Sequence, residues 1–326
     1  MANSGTRRAR RSNDGGYEDR DASRRNLQVG VGRAIAHHGE LLQGVFENED
    51  GRLHRALVTL PMLNQHALVT FWPSKEGEIR TRPAKRSKAA RAAVLTLEYL
   101  GFEGAGGDLT IDSAIPVGHG YGSSTADVVA AIRAAAAAAG VTLRRSTISG
   151  LAVVAEGASD AIAYGDQALL FAHREGSILE HFGGEFPPLL IVGFRSSHSR
   201  PVNTVRLPRA RYADDEIQLF RVMRGLTHHS IKHQDAGLLG RVATMSAVIS
   251  QRHLPKTRFE DVVGMAQDFG ACGIQVAHSG TLYGILFDAN ERAAATRAVA
   301  LAKAVQEEGF KGIATFALNA EGTVVR

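Results

Sequence analysis

The stretch that decides the fold is Pro116-Val117-Gly118-His119-Gly120-Tyr121-Gly122-Ser123-Ser124-Thr125. Its three alternating glycines let the backbone turn tightly and approach a ligand with no Cβ in between. A strand-like run, 107–113, precedes it, and an alanine-rich helical run, 124–139, follows. The serines therefore stand at a helix N-terminus, where free N–H groups and the helix dipole attract anions. This order predicts a polyphosphate cradle; the alternative is a glycine-rich loop with a serine cap and no ligand.

Two common nucleotide motifs do not describe this loop. No Gly-Lys-Ser or Gly-Lys-Thr follows the glycines, so it is not a Walker A loop. The GxGxxG spacing of a dinucleotide-binding fold is also missing. A different family of phosphate-binding loops has to explain the pattern.

The rest of the chain has the pattern of an α+β protein. Helices are predicted at 84–100, 124–139, 146–157, 212–226, 234–252, 259–269 and 291–307. Strands are predicted at 53–60, 65–72, 107–113, 167–172, 177–182, 188–194, 273–278, 281–287 and 311–318, with a turn at 61–64 joining the first two. The closing order of helix, strand, strand, helix and strand favours a small α+β second domain.

The charge of the chain is concentrated at its start. Its 326 residues hold 38 Lys+Arg and 33 Asp+Glu, a net charge of +5. Seven arginines and four acids lie in residues 1–25, so this segment contributes +3 and the remaining body only +2. A segment so poor in apolar residues cannot offset its ordering entropy by burial. We therefore predict a disordered basic tail, 1–26, and no nucleic-acid partner, with a nucleic-acid-binding arm as the alternative.

Composition also excludes several classes of protein. No apolar run approaches the ~18 residues of a transmembrane helix, and no apolar stretch follows the first arginines as in a secretory signal. The single cysteine, Cys272, cannot form an internal disulfide or a thiolate metal cluster. We expect a cytoplasmic protein with no membrane association.

The glycine-rich stretch resembles the signature loop of the GHMP kinases, named for galactokinase, homoserine kinase, mevalonate kinase and phosphomevalonate kinase. That signature, P-x-G-x-G-L-G-S-S-A, is matched from Pro116 to Ser124, with Tyr121 in place of the usual Leu and Thr125 in place of Ala. The resemblance implies an ATP-dependent small-molecule kinase in which Ser124 contacts Mg²⁺. It implies that ATP is bound by Pro116, Gly118, His119, Gly120, Tyr121, Gly122, Ser123, Ser124 and Thr125.

The same resemblance implies a two-domain α+β fold. Its first part is a ribosomal-protein-S5-domain-2-like α/β domain that binds ATP, placed at 27–200. Its second part is a ferredoxin-like α+β domain, placed at 201–326.

Two acids, one in the last turn of the predicted helix 146–157 and one just after it, lie where the resemblance implies functional acids. The resemblance implies that Glu156 is a Mg²⁺ ligand and that Asp160 is the catalytic group beside the transferring phosphate. A spacing of four predicts that both carboxylates lie on one side of a helical turn, although Gly157 stands between them. The alternative is a solvated charge at Glu156 and a cap or turn residue at Asp160.

Two short motifs flank the loop in the chain and resemble the bacterial L-threonine kinases that supply the aminopropanol linker of cobalamin. One is Gly39-Glu40-Leu41-Leu42-Gln43-Gly44, and the other is the turn His278-Ser279-Gly280-Thr281. Glu40 can accept from an ammonium and Gln43 can bond a carboxylate or hydroxyl. The backbone N–H groups of the turn can hold a carboxylate. The structural alternative is that Glu40 and Gln43 only bond neighbouring strands.

Three functional hypotheses follow. The first is a kinase that uses ATP and Mg²⁺ to phosphorylate the hydroxyl of L-threonine or a similar hydroxy amino acid. The second is a GHMP kinase for another small alcohol, such as a sugar, polyol or biosynthetic intermediate. The third is a non-catalytic regulator with the same fold. The expected partner is a small-molecule hydroxyl acceptor, and a homodimer is left open.

Overall fold

The computed structural model describes residues 26–197 and 210–320. The predicted disordered tail, 1–26, lies outside these ranges except for its last residue. The predicted domain boundary at 200/201 falls in the second undescribed segment, 198–209, so it stays a prediction.

The described strands form one sheet of ten strands in the order β10-β7-β9-β8-β1-β2-β4-β3, with β5 bridging β2 and β6. The strands are β1 Gly30–Glu47, β2 Leu53–Ser74, β3 Ile79–Arg82, β4 Gly106–Ser113, β5 Leu169–Ala172, β6 Ser177–His181, β7 Leu189–Arg195, β8 Gly273–Val276, β9 Leu282–Asp288 and β10 Lys311–Leu318. The helices are α1 Ser87–Tyr99, α2 Ser123–Ala138, α3 Arg145–Glu156, α4 Asp214–His233, α5 Ala236–Gln251, α6 Phe259–Asp268 and α7 Ala294–Glu307. A 3-10 turn occupies Ala161–Tyr164.

The predicted turn at 61–64 is wrong. β2 runs without reversal, and both of its halves pair antiparallel with β1. The pairing jumps from Ile35–His66 to Ala36–Met62, so three residues of β2 have no partner and the ladder is irregular there. Pro61 lies opposite His37 beside this irregularity, where its missing N–H is tolerated.

Helix α2 lies directly against β1 because the strand has no side chain at the contact. A Cβ on Gly32 would lie 2.1 Å from the carbonyl oxygen of Ala130, and one on Gly30 would be as close to that of Ala134. Alanine-rich α2 is therefore packed almost backbone to backbone on the sheet. This contact fixes where the N-terminus of α2 stands relative to β1.

Two hydrophobic cores lie on opposite faces of the sheet. Alternate residues of β7 point to opposite faces, so Leu189 and Ile191 join one core while Leu190, Val192 and Phe194 join the other. β7, which the sequence analysis placed in the first domain, pairs with β9 and β10. The sheet is therefore continuous between the parts of the chain that flank the undescribed segment.

Candidate active site

The glycine-rich loop joins β4 to α2 and is bonded to the irregular part of β1. The backbone N–H of His37 donates to the carbonyl of Tyr121 at 3.1 Å, and that of Gly39 donates to Gly120 at the same distance. Gly122 has a φ of 67° and stands immediately before α2. A Cβ on Gly122 would lie 2.1 Å from Cδ2 of His37. Glycine is therefore required there both by backbone conformation and by the close approach of the histidine.

The loop also contacts the turn 278–281, which joins β8 to β9. His119 Nδ1 lies 2.8 Å from Thr281 Oγ1, and the N–H of Thr281 donates to the carbonyl of His119 at 2.8 Å. A Cβ on Gly280 would lie 2.1 Å from that same carbonyl. The glycine-rich loop and the turn 278–281, which were selected from different motifs, are therefore in direct contact.

Glu156 is the last residue of α3, and its carboxylate points toward the start of α2. Ser124 Oγ donates to Glu156 Oε2 at 3.0 Å, and Lys88 Nζ lies 3.8 Å from the same oxygen. The Glu156 side chain is 2% exposed, so the alternative of a solvated charge is wrong. Burial, reinforced by the neighbouring charge of Asp160, raises the pKa of Glu156 to about 7.

The helical spacing predicted for Glu156 and Asp160 is also wrong. Gly157 ends α3 with a φ of 85°, and Asp160 stands at the N-cap position of the short 3-10 turn without a side-chain capping bond. The two carboxylates are nevertheless neighbours, because the chain folds back after Gly157. Asp160 lies beside Thr125, whose Oγ1 donates to Asp160 Oδ2 at 3.4 Å.

The closest partner of Asp160 is His37, which the sequence analysis did not select. His37 Nε2 donates to Asp160 Oδ2 at 2.9 Å. Burial alone would lower the pKa of His37, but the Asp160 carboxylate outweighs it and raises that pKa to about 9. Burial alone would raise the pKa of Asp160, and the His37 charge instead brings it below its ordinary value. The pair is therefore an imidazolium beside a carboxylate at neutral pH.

Glu40 lies next to this pair and contacts the turn 278–281. Ligand atoms of Glu40, His37 and Asp160 lie within 4.8 Å of one another. Glu40 Oε2 accepts the backbone N–H of His278 at 2.8 Å and lies 3.3 Å from its Nδ1. The two short motifs of the sequence analysis therefore meet at a buried carboxylate.

The remaining residues expected to bind the acceptor contact Ser246 and Lys256. The backbone N–H of Gln43 donates to Ser246 Oγ at 3.1 Å. Ser279 is half-buried in the turn, and the carbonyl of Gly280 accepts from the buried Lys256 Nζ at 2.7 Å. Burial, partly opposed by Glu40, lowers the pKa of Lys256 to about 8. Sequence reasoning missed Lys256 and Ser246, since neither belongs to a recognisable motif.

Comparisons with known proteins agree with this geometry. Residues 87–173 match the family model described as the GHMP kinases N terminal domain. The L-threonine kinase of Salmonella typhimurium is 28% identical over 263 residues, covering 80% of this chain and 83% of that protein. The L-threonine kinase of Citrobacter freundii is 30% identical over 187 residues, covering 56% of this chain and 64% of that protein. The chain is therefore similar to GHMP kinases, and the match to the family model spans residues 87–173.

Solved structures confirm the two-domain GHMP fold. The homoserine kinase from Cytophaga hutchinsonii superposes with a TM-score of 0.66 at 17% identity, over 90% of this chain and 95% of that one. The mevalonate pyrophosphate decarboxylase from Streptococcus pyogenes reaches 0.65 at 12% identity, over 92% and 99%. At these identities the likeness concerns the fold alone, and the site has to decide the reaction.

Its match to the GHMP kinases N terminal domain and its relatives named as kinases indicate an ATP-dependent phosphotransferase that acts on a small molecule. ATP is its co-substrate, as expected for a protein similar to kinases. The glycine-rich loop stands directly before the N-terminus of α2, a place in a fold that favours anions. In the described ranges, no helix is both long and apolar enough to cross a bilayer.

The residues expected to hold Mg²⁺ suit such an ion. Glu156 Oε1 is buried and has no hydrogen-bond partner, while Oε2 faces the Ser124 hydroxyl. Hard oxygen ligands of this kind, one carboxylate and one hydroxyl, fit Mg²⁺ bound mainly through phosphates. The group of His37, Glu40 and Asp160 fits it less well, because the His37 nitrogen is already bonded to Asp160.

Proposed function

We propose that this protein is a GHMP kinase that transfers the γ-phosphate of ATP to the hydroxyl of L-threonine or a closely similar hydroxy amino acid. The observation that supports it most is Glu40, a buried carboxylate beside His37 and Asp160 that has one oxygen, Oε1, outside its bonds to His278. A buried anion next to the reacting group favours an acceptor that brings a cation. The two curated relatives named L-threonine kinase support the same substrate.

The phosphate side of the reaction is assigned to the start of α2. The loop from Pro116 to Thr125 binds the triphosphate, with Ser124 and Glu156 as the Mg²⁺ ligands. When bound there, Mg²⁺ would neutralise charge on the phosphates during transfer. Lys88, 3.8 Å from Glu156, adds a positive charge beside the same position.

The acceptor hydroxyl is assigned to Asp160. Phosphoryl transfer depends mostly on positioning and electrostatics, and a base that takes the hydroxyl proton adds ~10²–10⁴-fold. The imidazolium of His37 keeps Asp160 ionised, and therefore able to accept a hydrogen bond from the hydroxyl. Thr125, at the start of α2, ties this carboxylate to the phosphate loop.

The two charged groups of the amino acid are assigned to the two short motifs. The ammonium is assigned to Glu40, and the carboxylate to the N–H groups of the turn Ser279-Gly280-Thr281 with the Gln43 amide. The alternative is a small alcohol without these charges, for which Glu40 would have only the protein's own cations, His37 and Lys256, as neighbours.

ADP release from the purified protein tests the proposal. The panel contains L-threonine, L-serine and L-homoserine, together with glycerol and galactose as uncharged alcohols. We expect the highest kcat/KM with L-threonine. A better rate with an uncharged alcohol would overturn the amino-acid assignment and leave the kinase class intact.

A further inference from the structure

A closed ring of hydrogen bonds links both acceptor motifs through a residue that belongs to neither. The backbone N–H of Gln43 donates to Ser246 Oγ at 3.1 Å, and Ser246 Oγ lies 3.0 Å from His278 Nε2. His278 Nδ1 and its backbone N–H both face Glu40 Oε2, at 3.3 and 2.8 Å. Glu40 and Gln43 lie on the same strand, β1, so the ring closes.

The donors and acceptors of this ring assign its protons. An ionised carboxylate only accepts, so the hydrogen between His278 and Glu40 lies on Nδ1. In the neutral imidazole Nε2 is then an acceptor, and the Ser246 hydroxyl donates to it. Ser246 Oγ also accepts the Gln43 N–H, so its position beside Nε2 is fixed by the backbone of β1. Ser246 thus gives Nε2 a donor and supports the tautomer that binds Glu40.

Serine, histidine and glutamate in this order also resemble the arrangement of a nucleophilic hydrolase. Burial argues against that function. Ser246 is 1% exposed, on the face of α5 that packs against β1 and β8, so no substrate reaches its hydroxyl. The hydroxyl therefore acts on His278 and not on a substrate.

We propose that Ser246 is a positioning residue for the acceptor: it holds His278 in the Nδ1–H tautomer, which binds Glu40 Oε2 and leaves Oε1 for the acceptor's ammonium. The ammonium assignment rests on the proposed function, whereas the tautomer does not. The sequence alone does not indicate this role, because Ser246 is simply one small residue within a predicted helix.

Ser246→Ala and Ser246→Thr test the ring. The Ala variant removes the hydroxyl and leaves Nε2 without its donor, so the Nδ1–H tautomer loses one of its two supporting bonds. The Thr variant restores a hydroxyl at the same place. We expect Ser246→Ala to raise the KM for the acceptor about tenfold, the effect of one lost hydrogen bond, with the KM for ATP unchanged. In ¹⁵N-histidine-labelled protein, the His278 ring should show the Nδ1–H pattern in the wild type and in Ser246→Thr. Ser246→Ala should show a mixture.

Thr244→Val is the matched control. Thr244 lies on the same helix, accepts the N–H of Ile274 from β8 at 2.9 Å, and donates to the Gly240 carbonyl at 2.8 Å. It loses comparable bonds without touching the ring, so both the acceptor KM and the His278 signals should stay as in the wild type.

Three results would overturn the proposal: an unchanged His278 tautomer in Ser246→Ala, an equal effect of Thr244→Val, or a rise in the ATP KM as large as that for the acceptor. A failure of the proposed function would give a different set of results. If no amine-bearing alcohol is phosphorylated, the assignment of Oε1 falls, while the tautomer change still supports the ring.

Discussion

His37 Nε2 and Asp160 Oδ2 lie 2.9 Å apart, although the residues are 123 positions apart in the chain. The contact joins the irregular part of β1 to the segment that follows α3. It places a positive charge against the carboxylate to which we assign the acceptor hydroxyl. The same histidine contacts the glycine-rich loop through its backbone N–H, so one residue links the proposed phosphate site and the proposed acceptor site.

The first prediction concerns Asp160 as the group that orients the hydroxyl and takes its proton. Asp160→Asn keeps the shape of the side chain but removes the negative charge. We expect kcat to fall by ~10²–10⁴-fold, with ATP affinity in a calorimetric titration little changed. A variant with near wild-type turnover would remove Asp160 from the reaction.

The second prediction is the pH dependence of the His37–Asp160 contact. The pKa of His37 rises from 6.5 to about 9 on folding, so folding binds an extra proton between these values. The resulting stability is fully present below about pH 6.5 and is lost as the pH rises through about 9. His37→Gln lacks it. Denaturant titrations should show the free-energy gap between wild type and His37→Gln shrinking by up to about 3 kcal/mol between about pH 6 and pH 10.

The comparison with His37→Gln is needed because Lys256 titrates in the same range. Burial lowers the pKa of Lys256 to about 8, so its contribution has the opposite dependence on pH. Both proteins contain Lys256, and its effect cancels in the difference. A gap that does not vary with pH would contradict the assigned charge of His37.

The third prediction tests Glu156 as a metal ligand. Glu156→Gln removes the charge that balances Mg²⁺, so kcat should fall severely and half-activation should need a higher Mg²⁺ concentration. The control is Asp127→Asn. Asp127 is a buried acid on the neighbouring helix α2, lies 3.0 Å from Arg86, and has its pKa raised to about 6 by burial. The control should lose stability and keep its Mg²⁺ dependence. Equal Mg²⁺ curves for both variants would exclude Glu156 from the metal site.

The sequence motifs predicted which segments the structure brings together better than they predicted the contacts of individual side chains. The loop from Pro116 to Thr125 was found because its glycines and serines form a continuous motif. The helical relation of Glu156 and Asp160 was wrong, because the positive φ of Gly157 ends the helix and returns the chain toward Thr125. Spacing along the chain does not reveal such a return.

The missed residues share a different physical reason. His37, Lys256 and Ser246 act through contacts between distant segments, and their neighbours in sequence carry no motif for these contacts. The turn predicted at Pro61 shows the same limit for the fold. Proline usually interrupts a strand, but here the irregular pairing with β1 makes its missing N–H harmless.

The fourth prediction concerns the two reasons why position 122 is glycine: its positive φ and the close approach of His37. Gly122→Ala both strains the positive φ and places a Cβ against His37, so ATP affinity should fall at least about tenfold. Gly140→Ala is the control, because Gly140 has a φ of 71° and no atom within 4 Å of an added Cβ. It should lose about 1 kcal/mol of stability from strain alone and bind ATP normally. Normal ATP binding by Gly122→Ala would contradict the phosphate-loop assignment.

The last prediction tests the ammonium assignment by changing enzyme and acceptor together. Glu40→Gln removes the negative charge, yet its amide oxygen can still accept the His278 N–H, so the turn 278–281 should stay in place. A lost charge-assisted bond of about 1.5–3 kcal/mol corresponds to a fall in kcat/KM of about 10–100-fold for L-threonine. The deaminated analogue 3-hydroxybutyrate has no ammonium to lose, so the same variant should change its already low kcat/KM by less than about twofold. If Glu40→Gln weakened both acceptors equally, the carboxylate would be supporting the turn and the ammonium would have to bind elsewhere.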